Sequence, residues 1–219
     1  MMSLESEYIT VAEMRKIDSE AVRSGIKIEL MMENAGKALA TTLRQRLGDI
    51  TGKKIVCIAG KGNNGGGVIA SLRHLDYYGA KTTLVLVCPK TMITEPSRVH
   101  LRLIPKRIKV ITYSSRSLSK IMNEIKKADV VMDGILGTGF SGRIDEPIHS
   151  MIDTVNKSRD YVISNDIPSG IEADTGIEST ISIHADFVVV LHKPKKWITV
   201  TQFSNYSVES IGIPSDLSI

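Results

Sequence analysis

Cysteine is scarce in this sequence: Cys57 and Cys88 are the two in a chain of 219 residues. A secreted disulfide scaffold needs more cysteines at other spacings, so that class is excluded. Both thiols lie in or at the end of apolar runs and read as buried and reduced, which favours a cytoplasmic setting. No stretch approaches the roughly 20 apolar residues that a bilayer span needs, so no membrane partner is expected. The first residues, Met1-Met2-Ser3-Leu4-Glu5-Ser6-Glu7, are acidic and have no apolar core, so no secretory signal is expected either. Met1 to Leu4 read in part as a cloning remnant. His184 and His192 flank an apolar run without metal-ligand spacing, and His74 sits beside Arg73 on a helical pattern. All three read as packing or surface residues, and no zinc site is expected. Internal repeats, low-complexity tracts and interdomain linkers are missing too, which leaves one domain over residues 1–219.

What is present is the composition of a globular protein, 42% hydrophobic and 24% charged with a mean hydropathy of +0.01. A net charge of +4 suits an anionic small-molecule substrate. The densest basic stretch, residues 105–109, has no interleaved aromatics and reads as a solvated turn, so nucleic acid is not the expected partner.

Thr10-Val11-Ala12-Glu13 is a capping box, in which hydroxyl and carboxylate each satisfy an orphan amide at a helix start. Val11, Met14, Ile17 and Ala21 continue it as an apolar stripe up to Gly25. A second helical pattern covers residues 28–47. Short runs rich in Val and Ile then recur at 55–59, 83–87, 109–113, 130–132, 161–164 and 187–191. Several are apolar throughout, as strands covered on both faces are. Helical spacing fills 68–78, 97–103, 118–127 and 147–157 between them. This alternation predicts an α/β fold: a three-layer, doubly wound, mostly parallel sheet with Rossmann-like order. The tail, 197–213, has strand-like pieces that suit an edge strand or hairpin.

Ligands of such sheets bind where loops leave the carboxyl ends of the strands, and three of these loops are unusual. Gly60-Lys61-Gly62-Asn63-Asn64-Gly65-Gly66-Gly67 follows the first strand; it reads as a phosphate cradle, or as a glycine-rich turn that only reverses the chain. Its Gly60-x-Gly62-x-x-Gly65 spacing matches a dinucleotide fingerprint. That fingerprint expects an acidic residue after the second strand, where this chain has Cys88-Pro89-Lys90, which weakens an NAD-dependent dehydrogenase. Asp133-Gly134-Ile135-Leu136-Gly137-Thr138-Gly139-Phe140-Ser141-Gly142-Arg143 offers a carboxylate, hydroxyls and bare amides, able to hold a cation and a polyanion together, although Asp133 alone also suits a simple turn. Asn165-Asp166-Ile167-Pro168-Ser169-Gly170 follows the fifth run, and its proline stiffens a turn that holds Asp166 at the strand tip. Three such loops at strand ends point to one shared site.

Together these segments resemble the NAD(P)H-hydrate epimerase family, of the YjeF N-terminal domain type. The resemblance rests on Leu30-Met31-Met32-Glu33-Asn34-Ala35-Gly36, Asn63-Asn64-Gly65-Gly66, Asp133 with Gly137-Thr138-Gly139, Asp166-Ile167-Pro168-Ser169-Gly170 and Ile211-Gly212-Ile213-Pro214. It implies an isomerase acting on hydrated NADH or NADPH in nucleotide repair, a bound potassium ion (K+), a homodimer, and a dehydratase as functional partner on a domain this chain does not contain. Asn64, Asp133 and Ser169 match the family's potassium ligands. Asn63, Asn64, Gly65, Gly66, Gly67, Gly137, Thr138, Gly139, Phe140, Ser141, Gly142, Arg143 and Asp166 match its substrate-binding segments, and Lys195 matches a lysine near the reacting ring. Two departures stand out. Gly67-Val68 replaces Asp-Gly, removing a carboxylate from the substrate loop, and Trp197 replaces a glycine. Lys90 and Arg143 are candidates for an extra phosphate on the substrate.

The implied substrate carries a hydroxyl at C6 beside the ring nitrogen, a carbinolamine whose reversible opening erases its configuration without any redox step. Asp166 is then the expected acid/base, with Lys195 as proton shuttle or as the charge that sets the state of Asp166. The competing reading is a catalytically impaired nucleotide-binding or interaction scaffold of the same fold, for which the Gly67 and Val68 changes and the basic charge balance speak.

Overall fold

The computed structural model describes residues 8–158, 160–214 and 217 of the chain; Met1 to Leu4, read above as a remnant, lie outside them. The capping box forms as expected. The Thr10 hydroxyl accepts from the Glu13 amide, and the Glu13 carboxylate accepts from the Thr10 amide, so α1 (Val11–Arg23) starts with its orphan groups paired. Met14, Ile17 and Ala21 form its buried stripe. They pack on Met31 and Ala35 of α2 (Ile28–Leu47) and on Ile211 and Ile213 of the C-terminal segment.

From Lys54 onward strands and helices alternate: β1 (Lys54–Ala59), α3 (Asn63–Tyr77), β2 (Lys81–Leu86), α4 (Glu95–Leu103), β3 (Lys109–Thr112), α5 (Leu118–Ile125), β4 (Val130–Gly134), α6 (Ile148–Lys157), β5 (Tyr161–Asn165), β6 (Phe187–Leu191), α7 (Trp197–Thr201) and β7 (Tyr206–Glu209). The sheet order is β3-β2-β1-β4-β5-β6-β7, and every pairing is parallel. The strands are covered on both faces. Ile55, Cys57, Ala59, Val130, Met132 and Val189 point to the layer of α2, α3 and α4. Val56, Ile58, Val85, Val131 and Val162 point to α5 and α6, while Val188 and Val190 meet α7. This two-sided burial is the reason the runs are apolar throughout. It also pushes the Cys57 thiol up to about 12, so that cysteine is inert filler.

The tail departs from the expected strand pieces at its start. The β-branched run at 197–201 forms α7, because Trp197 is drawn fully into the core beside Phe203 and its amide donates to the Ala173 carbonyl. The second part is the edge strand β7, parallel to β6, and no hairpin forms.

Two of the quoted motifs turn out to hold the architecture. The Asn34 amide donates to the Ile211 carbonyl, tying α2 to the C-terminal segment. Gly36 lies where α2 crosses α3: a Cβ there would sit 2.6 Å from both Ala70 Cβ and the Ser71 nitrogen. Alanine at an ordinary helix position gains about 1 kcal/mol over glycine, but at this crossing the overpacking wins. Gly36→Ala is expected to destabilise the protein by about 1–3 kcal/mol, read by urea unfolding; an increase in stability would show the crossing to be loose.

Candidate active site

The order of the central strands creates the site. β1 connects outward to β2 on one side while β4 leads to β5 on the other, so a crevice opens between the carboxyl ends of β1 and β4. The two glycine-rich segments meet there. The Gly60 amide donates to the Gly134 carbonyl at 3.0 Å, and a Cβ on Gly60 would fall 1.9 Å from the Ile135 carbonyl oxygen. No residue other than glycine allows that approach.

Residues 63–67, expected in the loop, form the opening turn of α3, with Gly62 as its N-cap. The loop proper is only residues 60–62. Asn63, Asn64 and Gly65 line a cavity of about 610 Å³, at the positive end of a helix dipole. Gly137, Thr138, Gly139, Phe140, Ser141, Asp166 and Lys195 line the same cavity. Gly66, Gly67, Gly142 and Arg143 do not. Gly66 packs on Met32 and Ser97, and Gly67 faces Asn165 and Ala35. The Gly142 carbonyl accepts from the Ser179 hydroxyl at 2.8 Å, and Arg143 is exposed and pairs with Asp145. Lys90 sits exposed in a short 3-10 turn away from the cavity.

The carboxylate expected to be lost from the substrate loop at Gly67 is therefore not a loss to the cavity wall. A Cβ at Gly67 would lie 2.8 Å from the Asn165 amide nitrogen, so the Asn165 side chain occupies that volume. From there it donates to the Asn64 carbonyl at 2.9 Å.

Beneath the cavity floor lies Asp133, fully buried. Burial pushes its carboxyl up, and hydrogen bonds from Ser169, Ile135 and Ser164 pull it back. One oxygen accepts from the Ile135 amide at 3.1 Å and the Ser169 hydroxyl at 2.6 Å; the other accepts from the Ser164 hydroxyl and the Ser169 amide, both at 2.9 Å. The Ser169 hydroxyl also accepts from the Leu136 amide, and the Asn64 carboxamide donates to the Leu136 carbonyl. The Asp133 carboxylate, the Ser169 hydroxyl and the Leu136 carbonyl, hard oxygen donors with a single formal charge between them, are thus joined at one point by hydrogen bonds, with the Asn64 amide nitrogen turned towards it. That set fits a weakly charged alkali cation better than a thiophilic or multivalent metal, and rotation of the Asn64 carboxamide would present its oxygen to the same point.

At the cavity wall Asp166 stands directly after β5 at a φ of 64°, a left-handed conformation that aspartate tolerates at a cost of about 1–2 kcal/mol. Its Oδ1 accepts from the Leu191 amide at 2.9 Å and from the Lys195 ammonium. Lys195 is 1% exposed and also donates to the Leu191 carbonyl at 2.8 Å. A buried ion pair at the mouth of a cavity is a working arrangement for acid/base chemistry. His192, next to it at a φ of 65°, is held neutral: burial, then Lys193 and Lys195, lower its pKa. His74 instead pairs with Glu33 between α2 and α3, in keeping with the packing role expected for it.

Three charged residues of the lining were not singled out from the sequence: Arg15 and Asp18 of α1, and Lys61 after β1. The α1 reading used only its apolar stripe, and nothing in the sequence says that the polar face of α1 covers a site some 150 residues away. The bridge between Ile9 and Lys195 shows how this happens, since it pins the start of α1 beside Lys195. A second cavity of similar volume, about 620 Å³, opens at the opposite, amino ends of β1 to β3, on the side of such sheets that does not take ligands.

Residues 28–197 match the model of the YjeF-related protein N-terminus family. The chain belongs to that family. It is 36% identical over 213 residues to an NAD(P)H-hydrate epimerase of Nitrosopumilus maritimus, covering 95% of this chain and 96% of the relative. To the NAD(P)H-hydrate epimerase of Cenarchaeum symbiosum it is 33% identical, with the same coverage. A bifunctional NAD(P)H-hydrate repair enzyme of Methanopyrus kandleri is 31% identical over 87% of this chain, which spans 38% of that longer protein. The crystal structure of the yeast protein YNL200c superposes with a TM-score of 0.79 over 93% of this chain and 87% of that one; at 23% identity it establishes the fold.

Asp133 supplies the test of the floor. Asp133→Ala orphans two hydroxyls and two amides in a water-free place, so a loss of about 3 kcal/mol or more is expected in chemical denaturation. A loss under 1 kcal/mol would mean that water reaches these donors.

Proposed function

We propose that this protein interconverts the R and S epimers of hydrated NADH and NADPH, as the names of its archaeal relatives suggest for them. The observation that carries the reading is the Asp166–Lys195 ion pair at the wall of a cavity whose other wall is the positive end of α3. Such a cavity offers a grip on pyrophosphate and a proton carrier for the ring in one enclosure.

The chemistry asked of the protein is small. The carbinolamine hydroxyl gives its proton to a base, the C6–N1 bond opens to an aldehyde, and reclosure on the other face inverts C6. Asp166 is the base in this reading, since its second oxygen is free of the lysine. Lys195 keeps it charged and aimed. Amides of residues 63–65, Thr138, and the cations Arg15 and Lys61 hold the phosphates. Potassium bound among Asn64, Asp133, the Leu136 carbonyl and Ser169 would lock the three loops together and offset the phosphate charge. The bifunctional name of the Methanopyrus kandleri relative supports a companion dehydratase that consumes one epimer. The family resemblance further supports a cytoplasmic homodimer, whose mass light scattering measures.

Purified R epimer incubated with the protein in potassium buffer should convert to the S form far faster than it does spontaneously, followed by chromatography. Asp166→Asn should cut kcat on the order of 10²–10⁴-fold while leaving nucleotide binding close to unchanged, since asparagine also tolerates a positive φ. No acceleration by a folded wild-type protein would return the balance to a binding scaffold. Potassium itself is tested on stability: exchanging tetramethylammonium for potassium chloride at equal ionic strength should raise the thermal midpoint by several degrees, by mass action on the folded state. An identical midpoint in the two salts would remove the cation from the site.

A further inference from the structure

Ring opening has a second half that Asp166 cannot serve. While the hydroxyl loses its proton, the departing ring nitrogen must gain one, and the base that has just been loaded lies on the oxygen side. The lining of the cavity holds two carboxylates, Asp18 and Asp166, and the two are differently placed. Asp166 is committed to Lys195 and to the Leu191 amide. Asp18, half-buried on the inner face of α1, has no hydrogen-bond or ion-pair partner among the described residues. A carboxyl group left without a partner at a cavity wall is placed to meet what enters the cavity.

We propose that Asp18 is the general acid of the reaction, delivering a proton to the ring nitrogen N1 as the C6–N1 bond breaks. The proposal rests on the epimerase reading and deepens it. The step balances without a co-reactant. The hydroxyl proton passes to Asp166, the O–H electron pair forms the aldehyde carbonyl, the C6–N1 pair stays on nitrogen, and nitrogen takes the proton of Asp18. After rotation about C5–C6 the nitrogen attacks the other face of the aldehyde, its proton returns to Asp18, and Asp166 reprotonates the oxygen.

The groups facing Asp18 suit this role. Lys195 and Asp166 share the cavity lining with it, and His192 is coupled electrostatically to both of them; Lys61 comes from the loop after β1 and Arg15 from its own helix, while α2 presents only the apolar Ile28, Met31, Met32 and Ala35. Burial raises the Asp18 pKa, Lys195 lowers it and Asp166 raises it, with a net upward result. Two carboxyls in one cavity, one engaged by a lysine and one without a partner, are placed for different parts in a proton transfer. Of the other proton carriers, Lys195 is already bound to Asp166 and to the Leu191 carbonyl, and Lys61 is exposed to solvent.

The test is the pH dependence of epimerisation by the wild type, Asp18→Asn and Asp18→Glu, each first checked for its circular dichroism and thermal midpoint. Because the acid must be protonated, wild-type kcat should fall as pH rises through the elevated Asp18 pKa. Asp18→Asn mimics the protonated shape but has no proton to give. Its kcat should drop on the order of 10²-fold, with KM within about threefold and the alkaline limb gone. Asp18→Glu should restore part of kcat and the limb with it. Wild-type kcat in Asp18→Asn, or a change confined to KM, would overturn the assignment while leaving the epimerase reading intact. If Asp18→Asn does not fold, the wild-type profile decides, and a flat alkaline side overturns the proposal. A folded wild type with no activity removes the epimerase reading, and the role of Asp18 goes with it.

Discussion

A carboxylate out of reach of water must find its donors within the protein, and Asp133 imposes that demand on everything around it. Its four hydrogen bonds come from its own loop, from β5 and from the loop after β5. Those contacts fix where Ser169 stands, and Ser169 in turn receives the Leu136 amide. The loop after β4 is thereby pulled over the β1 loop, where Gly60 touches the Ile135 carbonyl. A single buried charge thus sets the distance between the glycine-rich wall and the strand tip that carries Asp166. The arrangement is stable because desolvation, which costs several kcal/mol for an isolated ion, is offset by four donors that have no better acceptor.

The second buried ion, Lys195, is treated differently. Its ammonium has one local acceptor, the Leu191 carbonyl, and otherwise reaches to Asp166, which holds a left-handed backbone. Strain at one residue and burial of another are held by the same contact. Relaxing Asp166 would strand a cation in a site from which water is excluded, so the ion pair keeps the strained turn in place. The floor carboxylate has its hydrogen bonds filled, while the wall carries a strained backbone at Asp166.

Much of this was legible in the sequence. The β-branched runs gave the strands because parallel strands buried on both faces carry little else, and the capping box located α1 to the residue. The three strand-end loops pointed to one crevice because such sheets have one switch point. Other features were hidden for physical reasons. Residues 63–67 read as loop because three successive glycines are poor helix formers, yet α3 begins there because any larger residue would strike Gly60, Met32 or Asn165. The run at 197–201 looks like a strand until Trp197 finds its pocket in the core. Arg15 and Asp18 are exposed-looking positions on an amphipathic helix; only the long-range pinning of α1 beside Lys195 turns their face inward.

The departure from the family pattern at Gly67-Val68 looks different once distances are known. Position 67 lies against Asn165, and position 68 against Gly134, where a Cβ would be 2.5 Å from the Val68 methyl. Both are contacts between the start of α3 and the ends of β4 and β5, behind the cavity wall. At position 67 the side chain is supplied from the other partner, since Asn165 fills the space and bonds the Asn64 carbonyl. This places a carboxamide on the backbone of Asn64, the residue whose side chain reaches the Leu136 carbonyl. Asn165 thus fills the space beside Gly67 and braces the backbone of Asn64 from behind the cavity wall.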